Sequence, residues 1–192
     1  PNKSDTDGDG LSDSVELNGA TDPKDVDSDD DGLSDFVELV TINTDPNSPD
    51  SDNDGLNDSA EVSRGTDPND SDSDDDDLKD SVETNTGIFV SVLNTGTDPN
   101  SQDSDNDGLN DSDEVRRGID PNNKDSDDDG LEDSDEIKEG TNPKDPDSDD
   151  DKLSDFEEVQ AGSDPNDQDT DNDGLNDFLE KQNSTDPNNK DS

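Results

Sequence analysis

Polar residues dominate this chain so heavily that its apolar positions stand out singly, and they recur at a near-constant interval. Leu11, Leu33, Leu56, Leu78, Leu109, Leu131, Leu153 and Leu175 each lie in a run of Asp, Asn, Gly, Ser or Lys. Six positions later an aliphatic residue follows in six units, at Leu17, Leu39, Val62, Val115, Ile137 and Val159; Thr84 and Lys181 are the exceptions. No strand-like alternation runs through this pattern, and no helical period lasts beyond a turn or two. Each unit therefore predicts an irregular loop, a short helical exit such as Asp13-Ser-Val-Glu-Leu-Asn-Gly19, and a stop. Ser, Asn or Glu before the exit and Asp at its start suit an N-terminal cap. Gly19, Gly65, Gly118, Gly140 and Gly162 are the expected C-caps. The paired apolar residues are expected to form one small plug per unit, shared with the neighbour.

A turn closes each unit. It reads Thr-Asp-Pro at Thr21–Pro23, Thr44–Pro46, Thr66–Pro68, Thr97–Pro99 and Thr185–Pro187, with variants at Ile119–Pro121, Thr141–Pro143 and Ser163–Pro165. Proline prevents the helix from continuing there and stiffens the link onward. The units are 1–26, 27–49, 50–71, 72–102, 103–124, 125–146, 147–168 and 169–190, with the start of a truncated ninth at 191–192. Unit four carries a nine-residue excess in the segment 84–96, where Ile88-Phe-Val-Ser-Val-Leu93 is strand-like. It reads as a small hairpin, an edge that pairs with a partner chain, or a tolerated surface insertion.

Composition sharpens the picture. Hydrophobic residues make up 17% of the 192, and the formal charge is −50 from 62 acids against 12 bases. By composition alone such a chain should be disordered, because it cannot bury enough apolar surface to offset chain entropy. An acidic solvated tail, however, needs no register and no obligatory Leu. A salt-adapted surface could use Glu as readily as Asp, yet Asp outnumbers Glu 51 to 11, and eight of the eleven Glu share one position in the unit.

That register is a metal-ligating one. Counted from Asp5, carboxylates fall at loop positions 1, 3, 5, 9 and 12 with Gly at 6, the D-x-[DN]-x-[DN]-G-x₅-E pattern of a calcium loop. Calcium takes six to eight hard oxygens at about 2.3–2.6 Å, and three short side chains on a curling backbone can be aimed at one point. The position-7 ligand is a backbone carbonyl. The Asp at 9 reaches the ion directly or through water, and the longer Glu at 12 closes the shell with both oxygens. The candidate ligands are Asp5, Asp7, Asp9, Leu11, Asp13 and Glu16 in the first loop, then Asp27, Asp29, Asp31, Leu33, Asp35 and Glu38. The third and fourth loops offer Asp50, Asp52, Asp54, Leu56, Asp58 and Glu61, and Asp72, Asp74, Asp76, Leu78, Asp80 and Glu83. The fifth and sixth offer Asp103, Asp105, Asp107, Leu109, Asp111 and Glu114, and Asp125, Asp127, Asp129, Leu131, Asp133 and Glu136. The last two offer Asp147, Asp149, Asp151, Leu153, Asp155 and Glu158, and Asp169, Asp171, Asp173, Leu175, Asp177 and Glu180. Position 6 departs from Gly at Asp77 and Lys152, where a left-handed backbone is harder to hold.

At least eight Ca²⁺ are expected, and the charge surplus favours about two per repeat. Candidate ligands for a second, bridging ion are Asp22, Asp25, Asp45, Asp67, Asp70, Asp98, Asp120, Asp145, Asp164, Asp167 and Asp186, with shared loop carboxylates. The alternative is that these Asp only form turns. Magnesium suits the loops less well, because it demands near-octahedral geometry and sheds water reluctantly.

The chain contains neither Cys nor His, which removes disulfides, thiolate metal sites and the commonest general base. Every carboxylate pair belongs to a repeated loop, so no enzyme is expected. No apolar run approaches a membrane span, and the few scattered bases make nucleic acid an implausible partner. The start at Pro1, without Met and without a signal peptide, suggests a fragment of a longer protein. Sequons at Asn2, Asn57, Asn69, Asn110 and Asn183, and Asp-Ser-Val/Ala runs at Ser14, Ser59 and Ser81, raise attached glycans as a possibility that chance also explains.

The eight loops with their Thr-Asp-Pro turns resemble thrombospondin type 3 repeats, in the cysteine-free form of bacterial surface and secreted proteins. The resemblance implies an extended, mainly loop tandem-repeat array outside the cell, ordered by calcium rather than by a hydrophobic core, with the metal role on the five acidic positions of each loop. It implies a spacer or stalk between neighbouring domains of the same chain. The alternatives are a self-assembling structural filament made of copies of itself, an adhesin module using 84–96, and a calcium buffer.

Overall fold

The computed structural model describes residues 4–190. The start of a ninth loop at Asp191 and the sequon at Asn2 lie outside them. Short helices alternate with loops: α1 (Asp13–Gly19), α2 (Asp35–Val37), α3 (Asp58–Arg64), α4 (Asp111–Arg117), α5 (Asp133–Glu139), α6 (Asp155–Ala161) and α7 (Asp177–Asn183). Among the described residues there is no strand, only an isolated bridge between Ser91 and Asn94. The chain divides into two compact units, Pro1–Gln102 and Asp103–Ser192. Among the described residues no helix is long and apolar enough to cross a membrane.

Helices of two turns do not stand alone in water, so their ends matter. The Ser34, Asn57, Ser154 and Asn176 side chains accept the N–H of the third helical residue, a cap worth about 1 kcal/mol. Acidic residues fill each first turn, where the helix dipole favours them. Gly65, Gly118, Gly140 and Gly162 end their helices in the left-handed conformation. Gly19 does not: it is the last helical residue of α1, and Ala20 takes the cap at φ 67°. Asn43 and Ser184 do the same elsewhere.

Two repeats absorb extra residues at one point, between the position-12 Glu and the following Thr. In most repeats the Thr N–H reaches back to the Glu carbonyl five residues earlier, as Thr21 does to Glu16 at 3.1 Å. In the second repeat one more residue intervenes, and α2 widens into a π-helical turn at Glu38–Ile42 so that Thr44 still reaches Glu38 at 3.1 Å. The larger excess in the fourth repeat cannot be absorbed this way. The expected helical exit is absent there, replaced by a turn at Asp80–Val82 and a small hairpin. The strand-like run 88–93 pairs only through Ser91 and Asn94.

Only the position-7 half of the expected plug is buried, and only in some repeats. Leu17, Leu39 and Val62 are exposed, Leu17 by 71%, and the buried apolar residues are Leu11, Ile119, Leu131 and Leu153. The interior belongs to acids and threonines. Glu16, Glu38, Glu61, Glu83, Glu114, Glu136, Glu158 and Glu180 all have 0% exposure, as do Asp35, Asp58, Asp80, Asp111, Asp133, Asp155 and Asp177. These two positions lie three residues apart on one helix face, and position 13 falls at its edge. The turn prolines Pro46, Pro68, Pro99, Pro121, Pro143, Pro165 and Pro187 are buried as well.

Consecutive repeats are joined by carboxylates. In the first unit the Asp9, Asp31 and Asp54 Oδ2 atoms accept the backbone N–H of Phe36, Ser59 and Ser81 at 2.8–3.0 Å. In the second, Asp107, Asp129 and Asp151 do the same for Ser134, Phe156 and Phe178 at 2.8–2.9 Å. The Ser59 and Ser81 hydroxyls are spent in the same joints, donating to the Asp31 and Asp54 carbonyls. The Ser14 side chain, by contrast, is exposed. Position 6 sits against the joint. A Cβ on Gly10 would lie 3.1 Å from the Phe36 ring, and Gly10 has φ 115°.

Candidate metal centres

Each loop is built by its own carboxylates before any ion is considered. The position-9 N–H closes the loop onto the carbonyl just before position 1, as Asp58 does to Pro49 at 3.1 Å. Position-1 Oδ2 accepts the N–H of residue 6, from Gly32, Gly55, Asp77, Gly108, Gly130, Lys152 and Gly174, at 2.8–3.1 Å. Position-3 Oδ1 accepts the N–H of residue 5, as Asp52 does from Asp54 at 2.9 Å. Position-5 Oδ1 accepts the Leu N–H of residue 7, as Asp54 does from Leu56 at 2.6 Å. The Leu is thereby fixed within the loop.

These bonds force the backbone to curl twice. Position 6 has positive φ throughout, including Asp77 at 81° and Lys152 at 91°. Position 4 is also left-handed, at Gly8, Asp30, Asn53, Asp75, Asn106, Asp128, Asp150 and Asn172. Only Gly, Asp and Asn occur there, the residues for which that conformation costs least. The requirement at position 4 had a visible signature in the sequence but is easily mistaken for more ligand density.

Asp at position 9 is a clamp. Asp35 Oδ1 accepts the N–H of Ser28 and its Oδ2 the hydroxyl, both at 2.8 Å. The pattern repeats for Asp58, Asp80, Asp111, Asp133, Asp155 and Asp177, each with Ser or Thr at position 2. In the first loop Asp13 accepts from the Thr6 hydroxyl at position 2 and also from Ser4. The recurrent Ser/Thr at position 2 was present in the sequence and carries this role. The same hydroxyls reach back to the preceding turn, as Ser73 Oγ accepts from Asp67 N–H at 2.8 Å.

The remaining oxygens identify what the arrangement can hold. Carboxylate oxygens of positions 1, 3 and 5 lie within 4.8 Å of one another at Asp5/Asp7/Asp9, Asp27/Asp29/Asp31, Asp50/Asp52/Asp54 and Asp72/Asp74/Asp76. Oδ2 of Asp7, Asp29, Asp52, Asp105, Asp127, Asp149 and Asp171 is buried with no hydrogen-bond donor. So are both carboxylate oxygens of Glu16, Glu38, Glu61, Glu114 and Glu158. Leaving a buried carboxylate bare is among the most costly arrangements in a fold. The Glu oxygens and position-3 Oδ2 thus fit a hard divalent cation, and an acceptor that already takes one N–H keeps a second lone pair for it.

Electrostatics agree with this geometry. Burial, followed by the charges of neighbouring Asp, raises the carboxyls of Glu16 to about 7, Glu38, Glu61 and Glu136 to about 8, Glu158 to about 9 and Glu114 to about 10. Burial likewise lifts Asp29, Asp52, Asp127 and Asp149 to about 6 and Asp105 to about 7. The charges acting on each Glu include Asp at position 9 of the next repeat: Asp35 on Glu16, Asp58 on Glu38, Asp155 on Glu136. A threonine hydroxyl supports two of the glutamates, from Thr97 to Glu83 Oε1 at 3.0 Å and from Thr141 to Glu136 Oε1 at 3.4 Å.

The acids outside the loops are placed differently. Asp22, Asp45, Asp67, Asp164 and Asp186 are exposed, and so are Asp25, Asp70, Asp145 and Asp167; Asp98 and Asp120 are half-buried. Oδ1 of each turn Asp accepts the N–H two residues on, as at Asp67 and Asn69, 3.0 Å. That is a turn-forming role.

A model of the bacterial TSP3 repeat matches residues 5–26, 27–49, 50–71, 103–124, 125–146, 147–168 and 169–190. It passes over 72–102, the repeat that keeps the loop bonds but has the hairpin in place of its helix. No curated protein and no solved structure matches the chain. Seven matched repeats cover most of its length, and the chain belongs to the bacterial thrombospondin type 3 repeat family, a calcium-binding repeat type.

Proposed function

We propose that this chain is an extracellular calcium-binding array that serves as a calcium-rigidified spacer or stalk within a larger surface or secreted protein. The observation that carries the reading is the row of fully buried glutamates, in which neither oxygen of Glu16, Glu38, Glu61, Glu114 or Glu158 has a donor. With its carboxylates ionised, such a core needs cations beside it to be stable. Calcium would supply the positive charge that the buried carboxylates lack. Positions 1, 3, 5 and 12 hold it, with the position-7 carbonyl, and position 9 braces the loop. All eight loops take part, 72–83 included, since that loop keeps the same hydrogen bonds as the others. A second ion in many repeats would lie where position 12 of one repeat and position 9 of the next act on each other, and the exposed turn Asp would contribute little to it.

Folding and binding are then one process. Repulsion keeps the ion-free chain expanded, and bound calcium turns each loop into a fixed block, joined within each compact unit to the following one through its position-5 Asp. Extracellular calcium is about millimolar, enough to fill even sites with dissociation constants of roughly 10⁻⁴–10⁻³ M. The role is structural, not catalytic. The test is calorimetric titration of the decalcified chain with calcium, followed in parallel by small-angle scattering. Compaction into a stiff particle with at least eight ions supports the spacer. Binding with no change of shape would make calcium a cargo and the chain a buffer.

A further inference from the structure

The fourth repeat differs from its neighbours in chemistry as well as in shape. From Thr84 to Thr97 there is no charged residue, in a protein of which 39% is charged. The base of this excursion is anchored. Thr95, Gly96 and Thr97 are buried, and Thr95 donates to the Val82 carbonyl at 2.9 Å. Thr86 and Gly87 both donate to the Gly96 carbonyl, at 3.0 and 2.9 Å. Gly96 has φ 77°, and a Cβ on it would lie 2.4 Å from the Ile88 carbonyl oxygen, so the two limbs cross in close contact. Beyond that crossing the hairpin stands free. Ile88 is 63% exposed, Val90 66%, Val92 58% and Leu93 77%. The N–H groups of Ile88, Phe89 and Val92 take no acceptor among the described residues.

We propose that this hairpin is a homotypic contact, in which Ile88–Leu93 of one copy pairs edge to edge with the same segment of a second copy. An uncharged, β-branched run without proline is the composition that favours such pairing. The exposed apolar side chains make a patch on the order of 400 Å², the size that marks interaction sites. Charge selects the occupant. A cationic partner would be drawn to the carboxylate loops along the whole chain rather than to its one neutral excursion. What fits here is an equally neutral, equally extended strand, and a second copy supplies one with the same length and side chains, self-complementary about a two-fold axis. With a formal charge of −50 on each copy, the hairpin is also where two copies can approach without setting carboxylate against carboxylate. Two patches together bury about 800 Å², less than a stable interface needs, so the contact is weak between isolated copies and effective between copies held side by side.

The full chain in millimolar calcium is tested by sedimentation at rising concentration, beside the double variant Val92→Lys with Leu93→Lys. A reversible dimer is expected, weakened about tenfold or more by the two lysines, which set like charges against each other across the two-fold. Calcium uptake, measured on both proteins, should be unchanged. Because the chain lacks cysteine, a Val92→Cys variant should cross-link under mild oxidation far faster than one with cysteine at exposed Ser63. A chain that stays monomeric and cross-links no faster at position 92 than at 63 overturns the proposal. So does hairpin-dependent binding to neutral phosphatidylcholine vesicles without self-association, which would assign the patch to a lipid surface. The spacer reading fails separately, if the unmodified chain takes up no calcium. A lysine-sensitive dimer at high salt would then still support the contact.

Discussion

Ser59 holds Asp31 twice, through its N–H to Oδ2 at 2.9 Å and through its hydroxyl to the carbonyl at 2.7 Å. The two residues are 28 apart, and the pair ties the second loop to the helix of the third repeat. A loop acid is therefore also a joint. Ser59→Ala removes the hydroxyl and leaves the backbone bond, and should cost about 1 kcal/mol. The loss should stay local, because contacts in an array are between neighbours. Hydrogen exchange in calcium should accelerate in the second and third repeats and remain unchanged in the last three. Uniform acceleration would mean that the array melts as one block.

Glu61 gives a prediction with opposite signs in two solvents. Its side chain is fully buried, and burial raises its carboxyl to about 8. Glu61→Gln removes that charge without changing the volume much. In chelator the third repeat should become more ordered; in calcium its affinity should fall by more than about tenfold. Helix content in the two buffers and a calcium titration decide it. A variant that loses order in both would show that Glu61 is held by something other than a cation.

Acid should partly replace calcium. The glutamates Glu16, Glu38, Glu61, Glu114, Glu136 and Glu158 lie at about 7–10 in the folded chain against an ordinary 4.5. The ion-free fold thus binds protons more tightly than the unfolded chain. Its stability from these groups is fully present below about pH 4.5 and is lost as pH climbs through 7 to 10. In chelator the chain should be compact near pH 4 and expanded near pH 8, and calcium should restore compactness at pH 8. Scattering at the two pH values reads this directly, and an ion-free chain equally compact at both would refute it.

Lys152 sets strain against a new contact. It holds φ 91° at position 6, where six of the other seven loops have Gly. Its ammonium stands 5.4 Å from the Phe178 ring centre. A non-Gly residue at positive φ costs about 1–2 kcal/mol, and an exposed cation–π pair returns about 0.5–1 kcal/mol. Strain exceeds the contact, and the lysine also places positive charge near the loop. Lys152→Gly should therefore raise calcium affinity of the seventh loop several-fold, read from loop-specific amide shifts during titration. Unchanged affinity would mean that the Phe178 contact offsets the whole cost.

Much of the loop was legible beforehand because its chemistry is local. Asp at positions 1, 3 and 5 and Glu at 12 fall within twelve residues, so spacing alone brings them to one point, and the same spacing exposed the turn at Gly10 and its counterparts. The prolines and the Gly65-type caps were legible for the same reason, since they act on their own backbone. Gly19 was misread because the choice between it and Ala20 depends on where the Thr21 N–H must arrive, one residue farther on.

The sequence by itself determined the register of the array, the acids that line each loop and the place where the fourth repeat breaks step, all consequences of neighbouring residues and backbone sterics. Tertiary structure decided what each acid does once repeats stack. Asp31 and its equivalents became joints, Asp35 and its equivalents became clamps on Ser or Thr, and the position-12 glutamates became the most deeply buried row, ahead of most of the leucines. The physical reason is burial: a carboxylate reads the same in any exposed segment, and the curl of its own loop together with the packing of the next repeat determines whether it meets water, an N–H donor or neither.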